Sequence, residues 1–398
     1  MKIIIAGAGI GGLIAGLALL EKGFDVTILE QAQALKEIGA GVQLSPNATR
    51  VLYRLGVGDV LEELACEPLG KRVRLWNTGQ TWPLFDLGTH SRELYGYPYF
   101  TVHRADLHQA LAACVLAKSP DAIRLGEKVV SVEQRDGMAQ IYTANGGFYE
   151  ADLLIGADGV HSRVRHALFG PDEPQFSGVM AWRGVIDAAK LPGHLRSPYG
   201  ANWVGPGAHV IHYPLRNNQL INFVGAVERS DWQVESWSEQ GTVEECLRDF
   251  EGWHEDVRAL ISAIETPFKW ALMVREPMTT WVSGNATLLG DACHPTLPFL
   301  AQGAAMAIED GYLLARCLAE HGQDGAGPGA ALKRYEALRI ERTSRVVRGS
   351  AANATRFHNP ELARAEGASS YVSREWSEDR VKERYNWLFE YNVDEVTL

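Results

Sequence analysis

The first thirty residues leave little choice of architecture. Lys2-Ile3-Ile4-Ile5-Ala6 is an apolar, β-branched run, and Gly7-Ala8-Gly9-Ile10-Gly11-Gly12 follows it directly. The run predicts a buried strand, the glycines a sharp turn, and Leu13 to Lys22 an apolar-faced helix. A second strand, Asp25 to Leu29, ends at Glu30, 18 residues past Gly12. This is the complete pattern of a dinucleotide-binding βαβ unit. Gly7 permits the turn, Gly9 lets backbone approach a pyrophosphate, and Gly12 lets helix and strand pack closely. The helix N-terminus offers unpaired N–H groups to phosphate, and Glu30 is placed to accept from a ribose diol. A glycine-rich turn in an ordinary α/β domain is the plainer explanation of GxGxxG alone. The flanking strand, helix and terminal acid argue against it.

At 398 residues the chain is long enough for roughly two or three packed domains. A net charge of −11 argues against nucleic acid as the main partner, because phosphate backbones need a basic surface. An anionic small molecule needs only one or two local cations. The five cysteines, Cys66, Cys114, Cys246, Cys293 and Cys317, form no CxxC pair. That predicts a reducing, cytoplasmic setting with neither a disulfide framework nor a metal site. Met1-Lys2 runs straight into a strand, which does not read as a signal peptide, and no apolar run reaches the length of a membrane span.

Ser45-Pro46-Asn47 reads as a helix start, as does Arg104 ahead of Ala105 to Lys118. Ala151 to Ile155 is a short, nearly all-apolar strand ending at Gly156-Ala157-Asp158-Gly159. From Gly178 to Glu228 the chain turns strand-rich and aromatic, which predicts an inserted antiparallel sheet. Two helices are expected within Val243 to Ile264. Another apolar strand, Ala286 to Leu289, then runs into Gly290-Asp291, and a helix follows from about Gln302. The nucleotide domain is therefore expected to be discontinuous, at 1–175 and 267–330. A β-sheet domain for substrate is expected at 176–266, with part of 70–103 open to joining it. The segment 331–398 reads as helical and polar, packing across the surface.

Two further strand ends carry chemistry. Gly156-Ala157-Asp158-Gly159-Val160-His161-Ser162-Arg163-Val164-Arg165 permits a tight strand-to-helix turn. Its Asp158 is open to two roles: orienting a cofactor hydroxyl or capping a helix. Gly290-Asp291-Ala292-Cys293-His294-Pro295-Thr296-Leu297-Pro298-Phe299-Leu300-Ala301-Gln302-Gly303-Ala304 again leaves a strand at Gly-Asp. An acid at a strand C-terminus in an open α/β sheet points into the ligand crevice. The prolines predict a rigid extended loop, and the helix resuming at Gly303-Ala304 presents bare N–H groups to what the loop encloses.

The order GxGxxG with Glu30, then His103-Arg104-Ala105-Asp106-Leu107, then GADGxxSxxR, then GDAxHPxxPxxxQG resembles the single-component FAD-dependent aromatic monooxygenases, the para-hydroxybenzoate hydroxylase superfamily, over roughly residues 1–345. Within it the chain is most similar to the salicylate 1-monooxygenase and 3-hydroxybenzoate 6-hydroxylase branch. That similarity rests on the stretch from Gly39 to Asn47, on Trp182-Arg183-Gly184, on His212-Tyr213-Pro214-Leu215-Arg216 and on Ala301-Gln302-Gly303-Ala304. The resemblance implies an α/β fold: an FAD-binding Rossmann-like domain of glutathione-reductase type, an inserted antiparallel-sheet substrate domain and a C-terminal helical segment. It implies tightly but non-covalently bound FAD. Gly12 and Arg104 would meet the pyrophosphate, Glu30 the adenosine ribose and Asp291 the ribityl chain. Gly303 and Ala304 would lie by the isoalloxazine. Gly7, Gly9, Gln31, Gln43 and Asp158 complete the expected cofactor positions. No second GxGxxG follows a strand, which fits NADH or NADPH docking transiently.

The implied reaction inserts one atom of O₂ into an electron-rich ring by way of a flavin C4a-hydroperoxide, the cofactor carrying the chemistry. Salicylate would give catechol with loss of CO₂, and 3-hydroxybenzoate would give gentisate. A phenolate is the better nucleophile, so a proton acceptor is expected in the site. His212 is the first candidate and Gln302 the second. Their plainer roles are a sheet histidine satisfied by backbone and a polar residue at a helix start. Tyr213, Trp182, Phe299 and Pro298 are expected to line the aromatic pocket, unless they serve only in core packing, and Arg183 to face a substrate carboxylate or a surface acid. His294, beside Cys293, reads as loop scaffold rather than metal ligand. In the similar 6-hydroxynicotinate 3-monooxygenases histidines stand where this chain has Gln43 and Phe299, which disfavours a hydroxypyridine as the substrate. The same motifs would also serve a non-oxygenating FAD-dependent reductase or an FAD-binding sensor. A homodimer is an assembly open to the chain.

Overall fold

The three motif-bearing strand ends are neighbours in space. The computed structural model describes residues 1–35, 40–231, 239–321 and 328–398. Gly39 of the expected Gly39-to-Asn47 stretch lies outside the described residues. Lys2–Ala6 sits inside a six-stranded sheet, between Leu153–Gly156 and Asp25–Glu30, both parallel to it. Ala286–Leu288 lies beyond Leu153–Gly156, again parallel. Ala6 pairs with Gly156, and Gly156 with Leu288, so three glycine-containing turns leave one sheet edge side by side. Strands buried on both faces need continuous apolar sequence, and Ile3, Ile4, Ile5, Leu153, Leu154 and Ile155 are fully buried. Helices Ile10–Glu21 and Gly303–His321 pack together on one face.

A seven-stranded sheet forms the second layer. Its order is Phe268–Val274, Gln175–Asp187, Leu220–Glu228, Ala208–Leu215, Tyr199–Gly205, Gly70–Leu75 and Thr81–Asp86. Gly70–Leu75 runs parallel to Tyr199–Gly205, so the early segment considered for this layer does enter it. The boundary expected at 267 falls inside the layer, because Phe268–Val274 pairs with Gln175–Asp187. Helices Val243–Asp249 and Glu255–Ser262 cover one face over Trp182, Trp203, Val210 and Phe223. The other face turns toward the glycine-rich turns.

The C-terminal segment is not a surface tail. Helix Pro328–Phe357 buries Tyr335 and Arg339 completely, and its Phe357 joins Phe299, Leu297 and Met306 in a core shared with the last helices. The polar composition misled because several of its arginines pair internally. Among the described residues, no helix is long and apolar enough to cross a membrane.

Candidate active site

A single cavity reaches from the first glycine turn to the seven-stranded sheet. Gly9, Ile10 and Gly11 line its near end, with Arg104, Ala157, Gly159 and Asp291. Gly7 holds φ +104°, and a Cβ there would lie 2.5 Å from the Ala157 carbonyl oxygen. A Cβ on Gly12 would lie 2.0 Å from the Gly7 carbonyl oxygen. Gly12 therefore sets the close packing of helix on turn and does not itself line the cavity, unlike its expected pyrophosphate contact. At Gly9 a Cβ would meet nothing within 4 Å, so the space beside it is open to a ligand. Gly12→Ala should displace the turn and cost on the order of 2–4 kcal/mol. The checks are a chemical-denaturation curve and FAD retention on gel filtration; an unchanged midpoint with full FAD occupancy would contradict this packing role.

Glu30 holds the same turn. Its carboxylate accepts from the N–H of Ala8 and of Ala32, each at 2.8 Å. His108, unnoticed in the sequence, places Nε2 2.7 Å from the Ala8 carbonyl oxygen. Gln31 is exposed and outside the cavity lining. Asp158 takes the helix-capping role. It accepts from Ser162 Oγ and from the N–H of Arg163 and Val164, at the start of helix Arg163–Phe169, while its neighbours Ala157 and Gly159 reach the cavity. Asp291 lines the cavity, and its side chain is accessible where it opens onto that space. Burial raises its carboxyl, while the neighbouring His294 and Arg104 pull it back down.

The far wall comes from the proline loop and the sheet. Thr296, Leu297, Pro298, Phe299, Ala301, Gly303 and Ala304 line it on one side. Ala301 holds φ +55°, a left-handed conformation costly for any residue with a Cβ. The C-terminal helix fixes this geometry: Ser350 Oγ donates to Leu297 O (2.6 Å) and Asn353 Nδ2 to Phe299 O (3.0 Å). Opposite stand Arg183, His209, Ile211, Tyr213, Val224 and Trp270. Ile211, Val224 and Arg183 are direct cross-strand partners, so they form one row on one face. Gln43 closes a corner, its Oε1 accepting from Tyr99 Oη at 2.9 Å. Lys71 Nζ donates to that same Tyr99 oxygen at 2.8 Å, and burial lowers this amine to about 7.

Two expected pocket residues are on the wrong face. Successive strand side chains alternate, so His212 and Tyr213 cannot both face the cavity, nor can Trp182 and Arg183. Tyr213 and Arg183 do. His212 turns to the helix-covered side beside Arg74 and Asp256, where burial and Arg74 lower its imidazole to about 4. Trp182 donates its Nε1–H to Asp249 on that side. The histidine presented to the cavity is His209, three residues earlier. Gln302 is also removed from the expected role: its Oε1 accepts from Asn47 (3.1 Å) and its Nε2 donates to Ser45 (2.9 Å), beneath the loop. It positions Ala301 and Gly303 and does not line the cavity.

A buried ionic group anchors the loop from behind. His294 Nε2 lies 2.6 Å from Asp310 Oδ2, which also accepts from the Gly290 N–H at 3.0 Å. Arg339 spans Asp310 (2.6 Å) and Glu309 (2.8 Å), all three fully buried. His294 is thus scaffold. No group of His, Cys, Asp or Glu placed to hold a metal ion occurs among the described residues.

A dinucleotide cradle opening into an aromatic chamber, walled by a second sheet and reached by a strand-end aspartate, defines a flavin-dependent oxidoreductase with a site for a ring-shaped substrate. The family model described as "FAD binding domain" matches residues 1–350, and the chain belongs to that family, in its branch of single-component aromatic monooxygenases. It is 38% identical over 360 residues to 3-amino-4-hydroxybenzoate 2-monooxygenase PtnB3 of Streptomyces platensis, covering 90% of this chain and 89% of that one. It is 35% identical over 398 residues to 3-hydroxybenzoate 6-hydroxylase of Polaromonas naphthalenivorans strain CJ2, covering 99% and 96%. The structure of HpxO from Klebsiella pneumoniae complexed with FAD and uric acid superposes with a TM-score of 0.83 at 27% identity, covering 99% and 96%. The cradle fits FAD: an open Gly9, helix N–H groups, the cation Arg104 and the Asp291 carboxylate follow one another along one cavity. Bound FAD supplies the electron path from a nicotinamide to O₂ and delivers the oxygen atom.

Proposed function

We propose that this enzyme hydroxylates a phenolic aromatic acid, a hydroxybenzoate of the salicylate or 3-hydroxybenzoate kind, using NADH or NADPH and O₂. The observation that carries this reading is the composition of the chamber beyond the flavin cradle. Phe299, Pro298, Leu297, Ile211, Val224 and Tyr213 give apolar walls for a benzene ring, and only a few polar groups face inward. Arg183, its guanidinium 5.2 Å from the Trp270 ring centroid, supplies positive charge for a carboxylate. His209 is the proton acceptor for the phenol. It lies in the wall, fully buried, and its Nε2 has no partner within the protein among the described residues. Burial and the neighbouring His358 hold it well below the ordinary imidazole range, hence neutral and able to accept. Asp291, Arg104, Gly9, Gly303, Ala304 and Gln43 hold the cofactor, with Glu30 shaping the turn beneath it. Cytoplasmic location goes with the reductant this reading requires.

The test is a substrate panel. Purified FAD-loaded protein should oxidise NADH at least about tenfold faster with one hydroxybenzoate than alone, with O₂ uptake matched to hydroxylated product. The panel includes salicylate, 3-hydroxybenzoate, 3-amino-4-hydroxybenzoate and 6-hydroxynicotinate, and chromatography against standards reads ring position and loss of CO₂. No stimulation by any phenolic acid sinks the reading. Stimulation only by the pyridine selects a hydroxypyridine monooxygenase, and reduction of substrate without O₂ uptake selects the reductase.

A further inference from the structure

His209 is not isolated. Its Nδ1 lies 2.6 Å from Nε2 of His358, and Nδ1 of His358 lies 3.0 Å from Oε1 of Glu228. His209 is fully buried and His358 nearly so, while the Glu228 side chain is 57% exposed. The three groups thus lead from the cavity wall to solvent in two hydrogen bonds. Three separate parts of the chain build this line: strand Ala208–Leu215, strand Leu220–Glu228 and the residue just past helix Pro328–Phe357. The rings of Phe299 and Phe357, each with its centroid 5.0 Å from that of His209, exclude water from its inner end. The Gly207 N–H donates to the His358 carbonyl at 3.2 Å and fixes the residue in place. Arg229, next in sequence to Glu228, is held by Asp231 and Asp249.

We propose that His358 and Glu228 form a proton exit for the buried site, and that Glu228 dictates which nitrogen of His209 faces the substrate. The inference rests on the phenol-hydroxylase reading above. The chemistry follows from donor and acceptor counting. An ionised Glu228 only accepts, so Nδ1 of His358 carries the hydrogen. In neutral His358, Nε2 is then bare and accepts, so Nδ1 of His209 carries its hydrogen. That leaves Nε2 of His209 with a lone pair, the state a general base needs. When a phenol O–H gives its proton to Nε2, the Nδ1 proton of His209 passes to Nε2 of His358. The Nδ1 proton of His358 passes to the Glu228 carboxylate, which loses it to water. One O–H bond breaks, one proton reaches solvent, and no charge remains in the apolar wall. The line resets when Nε2 of His209 returns its hydrogen to the oxygen of the departing product: Nε2–H of His358 then passes to Nδ1 of His209, and a proton from water enters through Glu228 to Nδ1 of His358.

The two outer groups are positioning and relay residues, since only His209 meets substrate. The experiment mixes FAD-loaded protein with 3-hydroxybenzoate, and separately salicylate, in lightly buffered solution with a pH indicator. It records proton release together with the phenolate absorbance. Glu228→Gln replaces an exposed carboxylate by an amide, which cannot take up the proton from Nδ1 of His358 and no longer demands a hydrogen on that nitrogen, so the line loses its outlet. We expect proton release in E228Q to be slower by about tenfold or more, with FAD affinity and thermal midpoint as in the native chain. Glu228→Asp should recover most of the rate, and His358→Asn should match E228Q. Proton release in E228Q within about threefold of the native rate, or a slowing that E228D does not relieve, overturns the exit. If the native protein releases no proton with either acid yet is stimulated by a non-phenolic ring, the relay falls and the enzyme class stands. If no aromatic compound stimulates it at all, both readings fall.

Discussion

His209→Asn should lower kcat for hydroxylation by about 100- to 10,000-fold, the range associated with loss of a positioned general base. FAD should remain bound, because His209 lies in the sheet wall and the glycine turns, Arg104 and Asp291 are untouched. Reduction of the flavin by NADH should persist, so O₂ consumption becomes uncoupled from product. His212→Asn is the matched comparison. Its side chain faces Arg74 and Asp256 across the sheet, and hydroxylation per folded molecule should stay within about twofold. Stopped-flow flavin reduction alongside product quantitation separates the steps. Equal losses in the two variants would overturn the assignment of the cavity face, whereas loss in H212N alone would restore the histidine singled out by sequence.

Arg339→Leu should be the most damaging change away from the cavity. It leaves Glu309 and Asp310 buried without one of their cations, a cost of about 3–5 kcal/mol. Asp310 also accepts the Gly290 N–H and orders His294, so the Gly-Asp turn carrying Asp291 should loosen and FAD should be lost more readily. Burial alone would raise the Asp310 carboxyl, but His294, Arg339 and the Gly290 N–H bring it down to about 2. A carboxyl depressed on folding contributes stability that is complete above its unfolded value, near 4, and is lost as pH falls through its folded value. In the native chain that loss falls between about pH 4 and pH 2. In R339L the folded value rises, so the acid limb should move to higher pH. Denaturant midpoints taken from pH 7 to pH 3 test both effects, and a superimposable pH curve would show that Arg339 does not hold Asp310 ionised.

The cofactor half of the molecule was legible because its signals are local. Spacing of Gly7, Gly9 and Gly12 between a strand and a helix has few other uses, and Ala6, Gly156 and Leu288 do end side by side. The substrate half was less so. His212 and Trp182 looked convincing as neighbours of Tyr213 and Arg183, and adjacency in a strand is what places them on opposite faces. Asp158 had two local readings, and only the bonds to Arg163 and Val164 choose the cap. Nothing near His209 in sequence announces His358, 149 residues away, or marks Arg339 as the partner of Asp310.

The order of apolar runs, glycines and strand-end acids was thus enough to determine the flavin fold and to bring its three glycine turns together, because each acts through its own backbone and nearest neighbours. Which face of the second sheet lines the chamber, and which histidine therefore meets the substrate, was decided only when the loop 290–304 and the C-terminal helices packed against that sheet. A period-2 pattern identifies two faces without saying which is inside. Burial against residues far along the chain makes the choice.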